Sequence, residues 1–222
     1  TSTTTGRTPS GSSSQGQSGQ NSQGGSSAQG TSQQVQTATD EQERGVALIE
    51  TTLGYEDAEA AGTGIVLSSD GLVLTNHHVI ESATEIQVTI ASTGKAYQAT
   101  VVGYDDAKDV ALLQLQGASG LETAQLDDDG VTQAEAVTAI GNAEGRGILV
   151  AADGTVTATD QSITTQGDSG DSESLSGLIE LDADVVSGDS GGPVIDANGE
   201  VVAMTVAASS GSTDVTGYAI PI

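Results

Sequence analysis

The residues able to do chemistry fall in three short stretches. Ser190 stands in Gly188-Asp189-Ser190-Gly191-Gly192-Pro193, where glycines permit a tight turn that exposes a hydroxyl and lets backbone N–H groups converge. Attack of a hydroxyl on a carbonyl creates an oxyanion, and the N–H groups of Gly188 and Ser190 are the pair such a turn predicts for holding it. Serine is a weak nucleophile unless a base takes its proton and a third group orients that base. The only histidines, His77 and His78, are adjacent in Thr75-Asn76-His77-His78-Val79. A carboxylate ahead of an apolar run follows in Asp109-Val110-Ala111-Leu112-Leu113, with Asp106 as its nearby rival. The order His, Asp, Ser, at spacings of about 30 and then about 80 residues, is one in which nucleophile, base and orienting acid occur. Acyl transfer by such a set requires neither a metal nor an organic cofactor, and none is expected.

The elements that must position these groups read as strands. Brief apolar runs are punctuated by turn signals, with little helical periodicity. Asp70-Gly71 should close a hairpin between Ile65-Val66-Leu67 and Leu72-Val73-Leu74, and Asn198-Gly199 another between Val194-Ile195 and Val201 to Met204. Val46 to Ile49, Ile86 to Ile90, Tyr97 to Val101, Ala136 to Ile140 and Gly154 to Ala158 read as further strands, and a strand is expected to begin at Asp109 itself. Polar residues 160–176 read as a surface loop. The Gly/Asp-rich residues 116–130 read as the boundary between two halves, with Asp127-Asp128-Asp129 a solvated acidic loop lacking a full calcium-ligand pattern. The sum is an all-β barrel or sandwich.

Composition limits the partners. With 31 acidic against 5 basic residues, the formal net charge is −26. Such a surface repels phosphates and anionic lipids, so nucleic acid is excluded as a direct partner. No apolar run approaches the roughly 20 residues of a membrane span, so no membrane insertion is expected. Phe, Trp and Cys are absent, so the core is built from aliphatic side chains and no disulfide is available. Residues 1–39 form a Ser/Gln/Gly/Thr tract that cannot bury enough surface to offset its ordering entropy and is expected to be disordered. Residues 40–222 then hold the folded domain.

From about Gly45 to Ile222 the chain resembles the chymotrypsin-like (trypsin-type) serine proteases, and within them the HtrA/DegP-like type. The resemblance is carried by Gly62-Thr63-Gly64-Ile65-Val66, Thr75 to Val79, Asp109 to Leu113, Ile140-Gly141-Asn142, Gly188 to Pro193 and Gly217-Tyr218-Ala219-Ile220-Pro221. Gly103-Tyr104-Asp105 is similar to secreted actinobacterial members. The resemblance implies two six-stranded antiparallel β-barrels, at about 45–120 and 130–222, with the site between them. It implies His78 rather than His77 as the base, Asp109 as its orienting acid and Ser190 as the nucleophile. It also implies polypeptide substrates, namely unfolded or damaged exported proteins, and an extracytoplasmic location, secreted or tethered by an N-terminal anchor. Assembly into a homotrimer and a following PDZ peptide-binding module belong to the same family pattern. Asp184, six residues before Ser190, falls where trypsin-like enzymes carry the acid of the pocket for a basic P1 side chain. HtrA-type enzymes have a small residue there and prefer small aliphatic side chains, so both preferences stand open. Asp189 needs a cationic partner if buried, and Arg146 is the candidate. The rival class is a catalytically silent chaperone or peptide-binding scaffold on the same fold.

Overall fold

Alternation decides which way each short strand faces. The computed structural model describes residues 35–54, 58–166, 172–208 and 216–222. In strand β2 (Val46–Leu53), Ala47, Ile49 and Thr51 face inward; in β5 (Glu85–Ile90), Ile86, Val88 and Ile90; and in β7 (Val110–Leu115), Ala111, Leu113 and Leu115. With β3 (Ala58–Val66), β4 (Leu72–Thr75) and β6 (Lys95–Asp105) these strands form a closed barrel of order β2-β3-β4-β7-β6-β5. Its core is aliphatic apart from Tyr97. Each fully buried branched side chain there contributes about 1.5–3 kcal/mol.

The second half is a seven-stranded sheet built from β1 (Val35–Thr37), β8 (Ala136–Gly141), β9 (Val150–Gln166), β10 (Ser172–Leu181), β11 (Pro193–Ile195), β12 (Val201–Ala208) and β13 (Gly217–Pro221). Its order is β1-β9-β10-β13-β12-β11-β8, and β8 pairs back onto β9. Six of its strands therefore follow one another around a second ring, and the fold is the all-β, two-barrel architecture implied above. Ile65 of the first barrel meets Val201 and Met204 of the second, with Leu74 and Ile220 packed against them. One turn of α-helix, α1 (His77–Ile80), follows β4.

Three local expectations change. Val35–Thr37, inside the tract assigned to a disordered tail, pairs with β9 as β1, and Ala38 beside it is buried. Residues 1–34 of that tract lie outside the described residues. The stretch 160–176 is largely the paired arms of β9 and β10 rather than a loop, with Gln166 opposite Ser172. The strand expected from Asp109 starts at Val110, because Asp109 sits in the left-handed region at φ 54°, ψ 48°.

Candidate active site

The serine turn is held by glycines that nothing larger can replace. Gly188 has φ +94°, and a Cβ there would overlap the Asn142 carbonyl oxygen. A Cβ on Gly192 would come within 2.9 Å of the Asp189 carbonyl oxygen. Gly191 presses against the Thr63 carbonyl and the Thr75 hydroxyl, which are themselves hydrogen-bonded at 2.8 Å. The turn is thereby seated on β3 and on the end of β4, the strand that leads into α1. The Thr63 N–H donates to the Ser190 carbonyl at 2.9 Å. The Ser190 hydroxyl donates to the Val206 carbonyl at 3.3 Å. Among the described residues, neither the Gly188 nor the Ser190 N–H has an acceptor.

α1 carries His78, and the loop ahead of β7 carries Asp109. His78 Nδ1 lies 2.7 Å from Asp109 Oδ2, while the His78 backbone N–H donates to Oδ1 at 2.9 Å. Both carboxylate oxygens are thus used, and Asp109 is buried while the His78 side chain is 44% exposed. Asn76 Nδ2 donates to the Asp109 carbonyl at 2.9 Å, holding the left-handed turn that aims the carboxylate. With Nδ1–H donating to a carboxylate, Nε2 is left as the basic nitrogen. His77 takes a different partner, stacking on Tyr104 with ring centroids 4.6 Å apart. Asp106 accepts from the Ala107 N–H and stays exposed, and among the described residues its carboxylate makes no hydrogen bond to either histidine. Gly62 joins the two halves of the site: a Cβ there would meet Val79 of α1 within 2.9 Å and the Ser190 carbonyl oxygen at 3.3 Å.

Asp189 is buried without the cation expected for it. Its Oδ2 accepts from the Val186 N–H at 2.9 Å, and its Oδ1 has no partner among the described residues. Arg146 instead pairs with Glu144 on the surface, which corrects the sequence-based candidate: two residues apart on an exposed turn, they meet without desolvation. Burial raises the Asp189 carboxyl from the ordinary 3.8 to about 6, against the lowering effect of the Val186 N–H and with help from the charge of Asp184. Asp184 is half-buried close to this group. The Asp127, Asp128 and Asp129 carboxylates cluster on the surface, where Asp127 accepts from the Gly130 N–H.

Two residues important to this geometry have no role assigned from sequence. Buried Thr63 donates its hydroxyl to the Gly188 carbonyl at 2.8 Å and accepts from the Asn142 N–H at 2.9 Å. Asn142 Oδ1 in turn accepts from the Gly147 N–H at 2.8 Å. The quoted motifs Gly62-Thr63-Gly64 and Ile140-Gly141-Asn142 contain both, so the signal is present without its function.

Comparison with known proteins finds serine peptidases. A profile described as the trypsin-like peptidase domain matches residues 62–204. The chain is 36% identical over 168 residues to the periplasmic pH-dependent serine endoprotease DegQ of Escherichia coli, covering 73% of this chain and 35% of DegQ. It is 33% identical over 196 residues to the serine protease PepD of Mycobacterium tuberculosis, covering 80% of this chain and 41% of PepD. Among solved structures, the active form of the Rv3671c protease from M. tuberculosis matches with a TM-score of 0.71 at 28% identity, over 81% of this chain and 77% of that one. The chain spans 34–35% of the length of the first curated relatives it matches.

Proposed function

The chain belongs to the trypsin-like peptidase domain family, and from that premise we propose that it is an HtrA-type serine endopeptidase acting on unfolded or damaged exported polypeptides. His78 Nε2 takes the proton of the Ser190 hydroxyl as Oγ leaves the Val206 carbonyl and attacks the peptide carbonyl carbon. The new C–O bond places negative charge on the carbonyl oxygen, which the Gly188 and Ser190 N–H groups receive. The C–N bond then breaks, with the amine taking the proton back from His78. Water, deprotonated by the same imidazole, releases the acyl group. Asp109 keeps the imidazole in the productive tautomer and stabilises its charged form.

The observation that carries this reading is the His78–Asp109 pair, fixed at both carboxylate oxygens, beside a serine turn whose Gly188 and Ser190 N–H groups have no acceptor among the described residues. An export function draws support from the periplasmic relative DegQ. Among the described residues no helix is long and apolar enough to cross a membrane.

Asp109→Asn tests the proposal. Asn tolerates the left-handed backbone of this position, but its amide nitrogen cannot accept the hydrogen bond that its oxygen counterpart receives. Turnover of an unfolded polypeptide substrate should fall by about 10⁴-fold, while the turn itself remains formed. Equal kcat in the two proteins would remove Asp109 from the mechanism. The same assay, read by cleavage-site profiling, decides the role of Asp184. Lys or Arg at P1 assigns it to the substrate pocket, and small aliphatic residues remove it.

A further inference from the structure

A groove of about 880 Å³ lies beside the serine turn, with Ser187 and Gly188 in its lining. Gly188 also carries one of the two N–H groups without an acceptor among the described residues, so the groove adjoins the proposed oxyanion site. One wall comes from β2, β3, β5 and β6 of the first barrel, and the other from Glu144 and Gly145.

Two independent features describe what fits it. The first is a free strand edge. β4 pairs only with Ile65 and Val66 of β3, and among the described residues no strand pairs with the edge of Ala58–Gly64 opposite β2. Thr63 turns its N–H and carbonyl to that edge, toward the Ser190 carbonyl and the Thr75 hydroxyl. Strand alternation puts the N–H and carbonyl of Ala61 and Glu59 on the same edge. Both residues line the groove, and an unpaired edge of this kind accepts an extended peptide through main-chain hydrogen bonds.

The second feature is charge. Glu50, Glu59, Glu85 and Glu144 line the walls, and among the described residues no lysine or arginine does. Arg146 answers Glu144 alone. Among the described residues, Glu50 has only a long contact, 3.4 Å, from the Gln87 amide. Low-dielectric walls concentrate such a field inside a cleft.

We infer that this groove holds one flank of the substrate polypeptide as an extended strand along β3, and that Glu50, Glu59 and Glu85 select lysine and arginine side chains in that flank. The inference rests on the peptidase reading for its substrate, but its binding test does not depend on turnover. Fluorescein-labelled decapeptides, identical except for Lys, Gln or Glu at alternate positions, are titrated by anisotropy into the full chain carrying Ser190→Ala. The Lys peptide should bind about tenfold tighter than the Gln peptide. Combining Glu50→Gln, Glu59→Gln and Glu85→Gln should erase that preference. Asp127→Asn, Asp128→Asn and Asp129→Asn remove the same number of charges outside the groove and should leave it in place. Equal affinities for all peptides, or equal loss in the two triple variants, would overturn the inference, the latter by assigning the effect to net charge. Cleavage of the same peptides by the unsubstituted chain separates the two proposals. Turnover without a basic preference removes the groove's selectivity and leaves the peptidase. A basic binding preference without turnover does the reverse.

Discussion

Burial of Asp189 beside Gly141 leaves a carboxyl with a single hydrogen bond among the described residues, from the Val186 N–H, and lifts its pKa from 3.8 to about 6. In the unfolded chain this group releases its proton near 3.8, whereas the folded chain keeps it until about 6. The folded state therefore binds more protons across that window, and its stability falls as pH rises through it. The loss amounts to about 3 kcal/mol once both states are ionised. Asp189→Asn removes this titration. Urea unfolding of both proteins between about pH 4 and pH 7 should show the parent losing stability relative to the variant by that order. A pH-independent difference would contradict the burial argument. At this scale the sequence is informative where chemistry is rare: with two histidines, the pairing of His78 to Asp109 has few alternatives, and the contact is present. It is silent on how a charge is answered. Arg146 looks like a partner for Asp189 only as long as its true neighbour, Glu144, is invisible.

β3 is the element that makes one site out of two barrels. Its Thr63 hydroxyl bridges the Asn142 N–H and the Gly188 carbonyl, while its Thr63 N–H holds the Ser190 carbonyl. Thr63→Val keeps the shape and deletes the bridge, leaving a buried donor and a buried acceptor unpaired. The expected cost is about 2–4 kcal/mol in the denaturant midpoint, with a loss of kcat because Gly188 is no longer anchored. An unchanged midpoint would mean that the bridge carries no weight. The partners of Thr63 lie 125 and 79 residues away in the chain, and no periodicity encodes contacts of that range. Strands with one apolar face, such as β5 and β7, are legible by alternation. β1 is not, because all three of its residues are exposed, and the outer arms of β9 and β10 are polar enough to read as a loop.

At the scale of the whole molecule, charge outweighs every pairwise ion contact. The net charge is −26, and the surface pairs Lys108–Asp105 and Arg146–Glu144 offset little of it. Self-repulsion opposes the compact state and is screened by salt. Raising NaCl from about 0.02 to about 1 M should therefore raise Tm by several degrees. A Tm that stays flat or falls would show that repulsion is unimportant here. The all-β class is written across the whole chain in the spacing of its turns and short apolar runs, whereas the two-barrel arrangement is legible only through the family resemblance of its motifs; neither depends on local misreadings such as the one at residues 160–176.

The central claim is that Ser190 is an activated nucleophile facing an assembled oxyanion site. Intact mass after incubation with a fluorophosphonate measures this most directly, with Ser190→Ala alongside. One adduct per chain that disappears in the variant is the predicted result. No adduct on a folded chain, or an adduct that persists without Ser190, would contradict it.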